Sequence, residues 1–178
     1  MIKLRSALST AAICFSVAMA QSTTSNTPSV NDSAMQTVTS GKFTFSYRID
    51  GPNLVAKLSC PSTGWVAVGF NPKSVMKNAF CVMGAVVDGK PAISEEFGTG
   101  MFEHKPILSL GGKAVLIASD VSSENGVATL SFTMPLSTKD GMHADLAAGK
   151  KVKLMFAAGA SNDFTKKHKR KGEMTITL

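Results

Sequence analysis

The chain has little of what a catalyst or a covalent redox centre would need. Its three histidines are His104, His143 and His168. None stands in an H-E-x-x-H metal motif or beside a nucleophile elbow. Its three cysteines are Cys14, Cys60 and Cys81, and no C-x-x-C-H occurs, which excludes haem attached through thioether bonds. Two cysteines beyond the N-terminal segment are too few to build an iron–sulfur site alone. Glu95 and Glu96 are adjacent, so in a strand they point to opposite faces and cannot share one acid–base site. Hydrolase chemistry therefore has no foothold, and the chain reads as a non-enzyme. Acidic side chains are also scarce, 12 against 19 lysines and arginines, for a formal charge of +7.

What is present begins with a leader. Met1 to Ala20 combines Lys3 and Arg5, an apolar run from Ala11 to Val17, and Ala18-Met19-Ala20. This is the pattern of a signal peptide, with cleavage expected after Ala20 and a periplasmic or secreted product. The run is too short to span a bilayer, and no later segment is long and apolar enough. Loss of Lys3 and Arg5 would bring the charge from +7 to +5. Residues 21–40 are rich in Ser, Thr and Asn without periodicity and read as a flexible leader. Residues 41–178 read as one domain of ordinary size. Much of the surplus charge lies in Lys166-Lys167-His168-Lys169-Arg170-Lys171. Export argues against nucleic acid, which leaves a solvated turn or a docking patch for an acidic partner. Export also allows a bridge between Cys60 and Cys81, subject to geometry.

From Gly41 onward the dominant period is two. Phe43, Phe45, Tyr47 and Ile49 alternate with polar residues. So do Leu54 to Cys60, Leu130 to Met134, Val152 to Phe156 and Met174 to Leu178. Such alternation turns one face of each strand to a core. Asp50-Gly51-Pro52-Asn53, Asp88-Gly89, Gly111-Gly112 and Asn125-Gly126 mark turns. Trp65–Phe70 and Phe80–Val87 are apolar on both faces and should be central strands. About nine or ten strands in a β-sandwich fit this pattern. Helix is limited at most to a turn or two near Leu136 to Ala148.

Methionine is the abundant chemically active side chain, with ten in the chain. Met83, Met134, Met155 and Met174 fall in strands and read as core filler. Met76, Met101 and Met142 fall in loop-like contexts. His168 sits in the loop between the strand ending near Ala158 and the one starting near Glu173. If the chain leaves the sheet at Asn71 on the same end, Met76 and His168 face each other across a pocket. A Met/His pair is one of the ligand sets that hold haem iron. Soft thioether suits ferrous iron, and imidazole suits both oxidation states. Two other readings stand beside it. Trp65, Phe97 and Phe102 offer ring faces to a carbohydrate or other small molecule. Met101 with His104, and Met142 with His143, offer sulfur and imidazole to copper.

At these residues the chain resembles the DOMON family. "GWVAVGFNPKSVMKNAFCVMGAVVDGK" is similar to that family's central block, with Gly-Trp-x-Ala-x-Gly-Phe, a short loop, a methionine and an apolar strand. "ASDVSSENGVATLSFTMPLSTKD" and "FAAGASNDFTKKHKRKG" resemble its intervening and closing blocks. The resemblance covers about residues 41–178 and implies an immunoglobulin-like β-sandwich, all-β, with a ligand pocket at one end. It further implies, through the family's haem-binding branch, non-covalent haem b held by Met76 and His168, and single-electron transfer to separate redox proteins. Lys167 and Arg170 would then either pair with the haem propionates or stay solvated. Asn78-Ala79-Phe80 departs from the small-acidic pair usual after the methionine. "GTGMFEHKP" has no family counterpart, which leaves Met101 and His104 as competing ligands.

Overall fold

A computed structural model describes residues 34–178. The signal peptide and most of the leader expected from the sequence lie outside these residues. The elements, in chain order, are β1 (Gln36–Ser40), β2 (Phe43–Asp50), β3 (Asn53–Pro61), β4 (Val66–Phe70), β5 (Phe80–Val87) and β6 (Lys90–Phe97). There follow β7 (Lys105–Pro106), a single 3-10 turn (Ile107–Leu110), β8 (Ala118–Glu124), β9 (Val127–Pro135), β10 (Lys151–Ala158) and β11 (Arg170–Thr177). They form two antiparallel sheets, ordered β1-β2-β3-β9-β8 and β11-β10-β4-β5-β6-β7.

The alternating residues fill the space between the sheets. Phe43, Phe45 and Tyr47 from β2, Leu54 and Leu58 from β3, and Leu130 and Phe132 from β9 meet Val68, Phe70, Phe80, Leu154 and Phe156 from the other sheet. Phe43 stacks on Phe156 at 5.6 Å between ring centroids, and Phe70 meets Phe132 edge-on at 6.3 Å. These contacts add directional preference to burial. The two doubly apolar stretches, β4 and β5, are the middle strands of the six-stranded sheet. Their second face carries a smaller apolar cluster: Trp65, Ala67, Ala79, Cys81, Met83 and Ala85, against which Met155, Ala157 and Phe164 pack.

Tight hairpins appear where Asp-Gly and Asn-Gly announce them. Asp88 and Gly89 have φ of 50° and 74°, and Asn125 and Gly126 have 51° and 75°, as a type I′ turn requires. Two expectations are corrected. The organised chain begins at Gln36, because Thr37-Val38-Thr39, rich in branched side chains, pairs with β2 as an edge strand. Helix is absent from 136–148 among the described residues. That stretch closes instead through Leu146 N–H donating to the Leu136 carbonyl at 2.7 Å. Among the described residues the one helical turn is Ile107–Leu110, ended by Gly111 at φ 80°. Cys60 and Cys81 are both buried and unbridged. Cys60 points into the core between the sheets, whereas Cys81 sits on the far face of β5.

Candidate functional site

The second face of β4, β5 and β10 is where the sequence and the fold disagree most with a purely structural role. Small residues make it flat: Ala67 and Gly69 on β4, Ala85 on β5 and Ala157 on β10. A Cβ on Gly69 would lie 2.6 Å from Met155 Cγ and 3.1 Å from Cys81 Sγ, so only glycine admits these neighbours. Trp65, 3% exposed, contributes an indole to the same cluster. Its Nε1–H is buried without an acceptor, a costly arrangement in a dry environment. Met155 and Phe164, the latter from the β10–β11 loop, lie over the face.

The loop bearing Met76 and the loop bearing His168 leave the sheet at opposite ends of this face. Register decides the matter: Leu154 pairs with Phe70 and Ala158 with Val66. The loop after Phe70 and the loop after Ala158 therefore leave the β4–β10 ladder about 13 Å apart. The expectation that both open at one end is corrected. Their exits bracket the outer face. A pocket of about 190 Å³ does open at the Val66 end, lined by Gly64, Val86, Val121 and Asn162 among others, but neither Met76 nor His168 lines it.

The Met76 loop is wound tightly. Lys77 N–H donates to the Ser74 carbonyl at 2.8 Å, and Ala79 N–H to the Met76 carbonyl at 3.0 Å. Asn71, Val75 and Asn78 have φ of 48°, 52° and 63°. For branched Val75 that is a strained conformation, the kind concentrated at binding sites. Asn78 N–H donates to the Gly98 carbonyl, and Gly98 N–H to the Ala79 carbonyl, so this loop rests on the β6–β7 loop. Met76 is half-buried.

His168 is exposed in its loop, just before β11. Partial desolvation, with Lys167 and Lys171 nearby, holds its imidazole below the usual histidine pKa. Its neutral, lone-pair-bearing form is thus favoured. Arg170 donates to the Pro61 carbonyl at 2.9 Å, and Lys167 is exposed.

Alternative ligands fall elsewhere. His104 lies at the Met76 end, with Nδ1 bonded to the buried carboxylate of Glu96. Met101, 49% exposed, touches Ser74 through its sulfur at 3.9 Å. Met142 packs against the core, and His143 is held by Asp140. The stacking surface for a sugar is not assembled. Trp65 is buried, Phe97 packs on the core and Phe102 stands alone, 83% exposed. The carboxylate–histidine pairs escape a sequence reading, although Glu95-Glu96 facing opposite ways already implies two separate partners.

Residues 39–159 match the DOMON domain family. No curated protein matches the chain. Among the solved structures that share the fold are two cytochrome domains. The cytochrome domain of Myriococcum thermophilum cellobiose dehydrogenase is 15% identical, with TM-score 0.56 over 81% of each chain. The cytochrome b domain of pyranose dehydrogenase from Coprinopsis cinerea is 11% identical, with TM-score 0.54 over 76% of each chain.

Proposed function

The chain belongs to the DOMON family, and from that premise we propose that it is an exported b-type cytochrome domain that binds haem b non-covalently and carries single electrons between separate redox proteins. The observation that carries this reading is the pair of loops bracketing the flat apolar face of β4, β5 and β10, one bearing Met76 and the other His168. Thioether and imidazole are the donor set for iron that shuttles between two oxidation states. The small residues leave room for a planar ring, and the unpaired Trp65 Nε1–H offers a donor to a carboxylate on it. Phe164 and Met155 cover the face and must move aside for such a ring. When bound, haem supplies a one-electron couple. Met76 and His168 would hold the haem, and with two protein donors the bound group would supply electron transfer and not oxygen chemistry. Among the described residues no helix is long and apolar enough to cross a membrane.

The test is an absorption spectrum of the exported protein after haemin addition, oxidised and then reduced with dithionite. A sharp α-band with six-coordinate low-spin character is expected. Met76→Ala and His168→Ala should each lose it while keeping the far-ultraviolet circular dichroism of a β-sandwich. Retention of the parent spectrum by both variants would refute the assignment.

A further inference from the structure

The inner of the two adjacent carboxylates on β6 faces an imidazole whose Nε2 makes no hydrogen bond. The His143 side chain is 2% exposed. Its Nδ1 lies 2.5 Å from Asp140 Oδ2, and the backbone N–H groups of Met142 and His143 donate to Asp140 Oδ1 at 2.9 and 3.0 Å. Its Nε2 has no hydrogen-bond partner. It faces Glu95 Oε2 at 3.6 Å, beyond a good hydrogen bond. Glu95 is itself fixed, accepting from Val115 N–H at 3.0 Å and Leu116 N–H at 3.2 Å. The Phe80 ring lies 5.0 Å from the imidazole and closes one side.

Two donors bound at the usual zinc distances in tetrahedral geometry sit about 3.4 Å apart. The Glu95–His143 gap has that size. A carboxylate on the other ring nitrogen is how proteins orient a metal-bound histidine and fix its tautomer, and Asp140 occupies that position. Two more buried hydroxyls without partners, Ser137 Oγ and Thr138 Oγ1, belong to the same loop. No third His, Cys, Asp or Glu converges on the point among the described residues. We propose that Glu95 Oε2 and His143 Nε2 hold a divalent cation of the zinc class, with Asp140 as positioning residue and water or loop hydroxyls completing the coordination. Imidazole argues against calcium, and the absence of a thiolate argues against a closed Cys-rich site. The ion would pin the loop following β9 to β6 and to the 115–116 backbone. This site is independent of the haem reading.

The test uses the full chain, stripped with chelator, and Zn²⁺ alone as the probe. Competition with a chromophoric chelator should show one tight equivalent. His143→Gln and Glu95→Gln should weaken it more than tenfold, and Asp140→Asn by about 10–100-fold. His104→Gln should leave it unchanged. Because buried variants can fail to fold, the ring nitrogens of the unmodified protein are also followed by ¹H–¹⁵N correlation. Zn²⁺ should shift His143 Nε2 and leave Nδ1 bonded to Asp140. Equal affinity in His143→Gln, or an Nε2 that carries a proton and ignores Zn²⁺, would overturn the proposal and leave an ion pair only.

Discussion

Gly98 has no room for a side chain, because a Cβ there would overlap the Met76 carbonyl oxygen. Gly98→Ala must therefore push the Met76 loop off the β6–β7 loop. We expect a loss of about 1–3 kcal/mol by chemical denaturation, together with a weakened low-spin band in the haem-loaded protein. Cys81 makes a different prediction. Burial, with Glu96 nearby, pushes its thiol from 9.0 up to about 12. The folded state then keeps a proton that the unfolded chain loses above pH 9. Stability that is whole below pH 9 should fall as pH rises toward 12. Denaturation curves of the parent and Cys81→Ala, taken at pH 7 and 10.5, should differ in that slope. A thiol reagent at pH 8 should modify Cys81 only on unfolding. Met76 and His168 were visible in the sequence as a loop thioether and a loop imidazole. The side-chain pairs Glu96–His104 and Glu95–His143 were not, because the packing of loops on β6, not spacing, brings them together.

At the scale of elements, β1 carries the clearest prediction. It ties both sheets: Thr37 meets Ser46 at 2.8 Å, and Ser40 Oγ donates to the Glu173 carbonyl at 3.0 Å. A chain starting at Gln36 should melt like the parent. One starting at Gly41 should melt at least about 4 °C lower by calorimetry. Most strands were readable because one buried face forces a period of two, and the hairpins because Asp-Gly and Asn-Gly accept positive φ. β1 was hidden by its Ser/Thr composition, since an edge strand half in water needs no apolar alternation. The 3-10 turn was hidden because four residues carry no period. That the Met76 and His168 loops leave β4 and β10 at opposite ends depends on β4–β10 register, which no local pattern encodes.

The described domain has two unlike ends. Val75, Met101 and Phe102 are exposed on the loops at the Met76 end. Lys166, Lys167, Lys169, Arg170 and Lys171 are exposed at the His168 end. A positive rim of this kind attracts negatively charged partners and does so less as salt rises. In the haem-loaded protein, electron exchange with anionic hexacyanoferrate should slow by about tenfold between low and high ionic strength. Lys167→Glu with Lys171→Glu should slow it at low salt and flatten that dependence, whereas a cationic ruthenium ammine should respond in the opposite sense. Neither Cys60 nor Cys81 is bridged, and they face different sides of the six-stranded sheet. No sulfur–sulfur bond between them is therefore at stake when dithionite or a thiol is added, so a strong reductant can be titrated into the haem-loaded domain without these two cysteines consuming electrons.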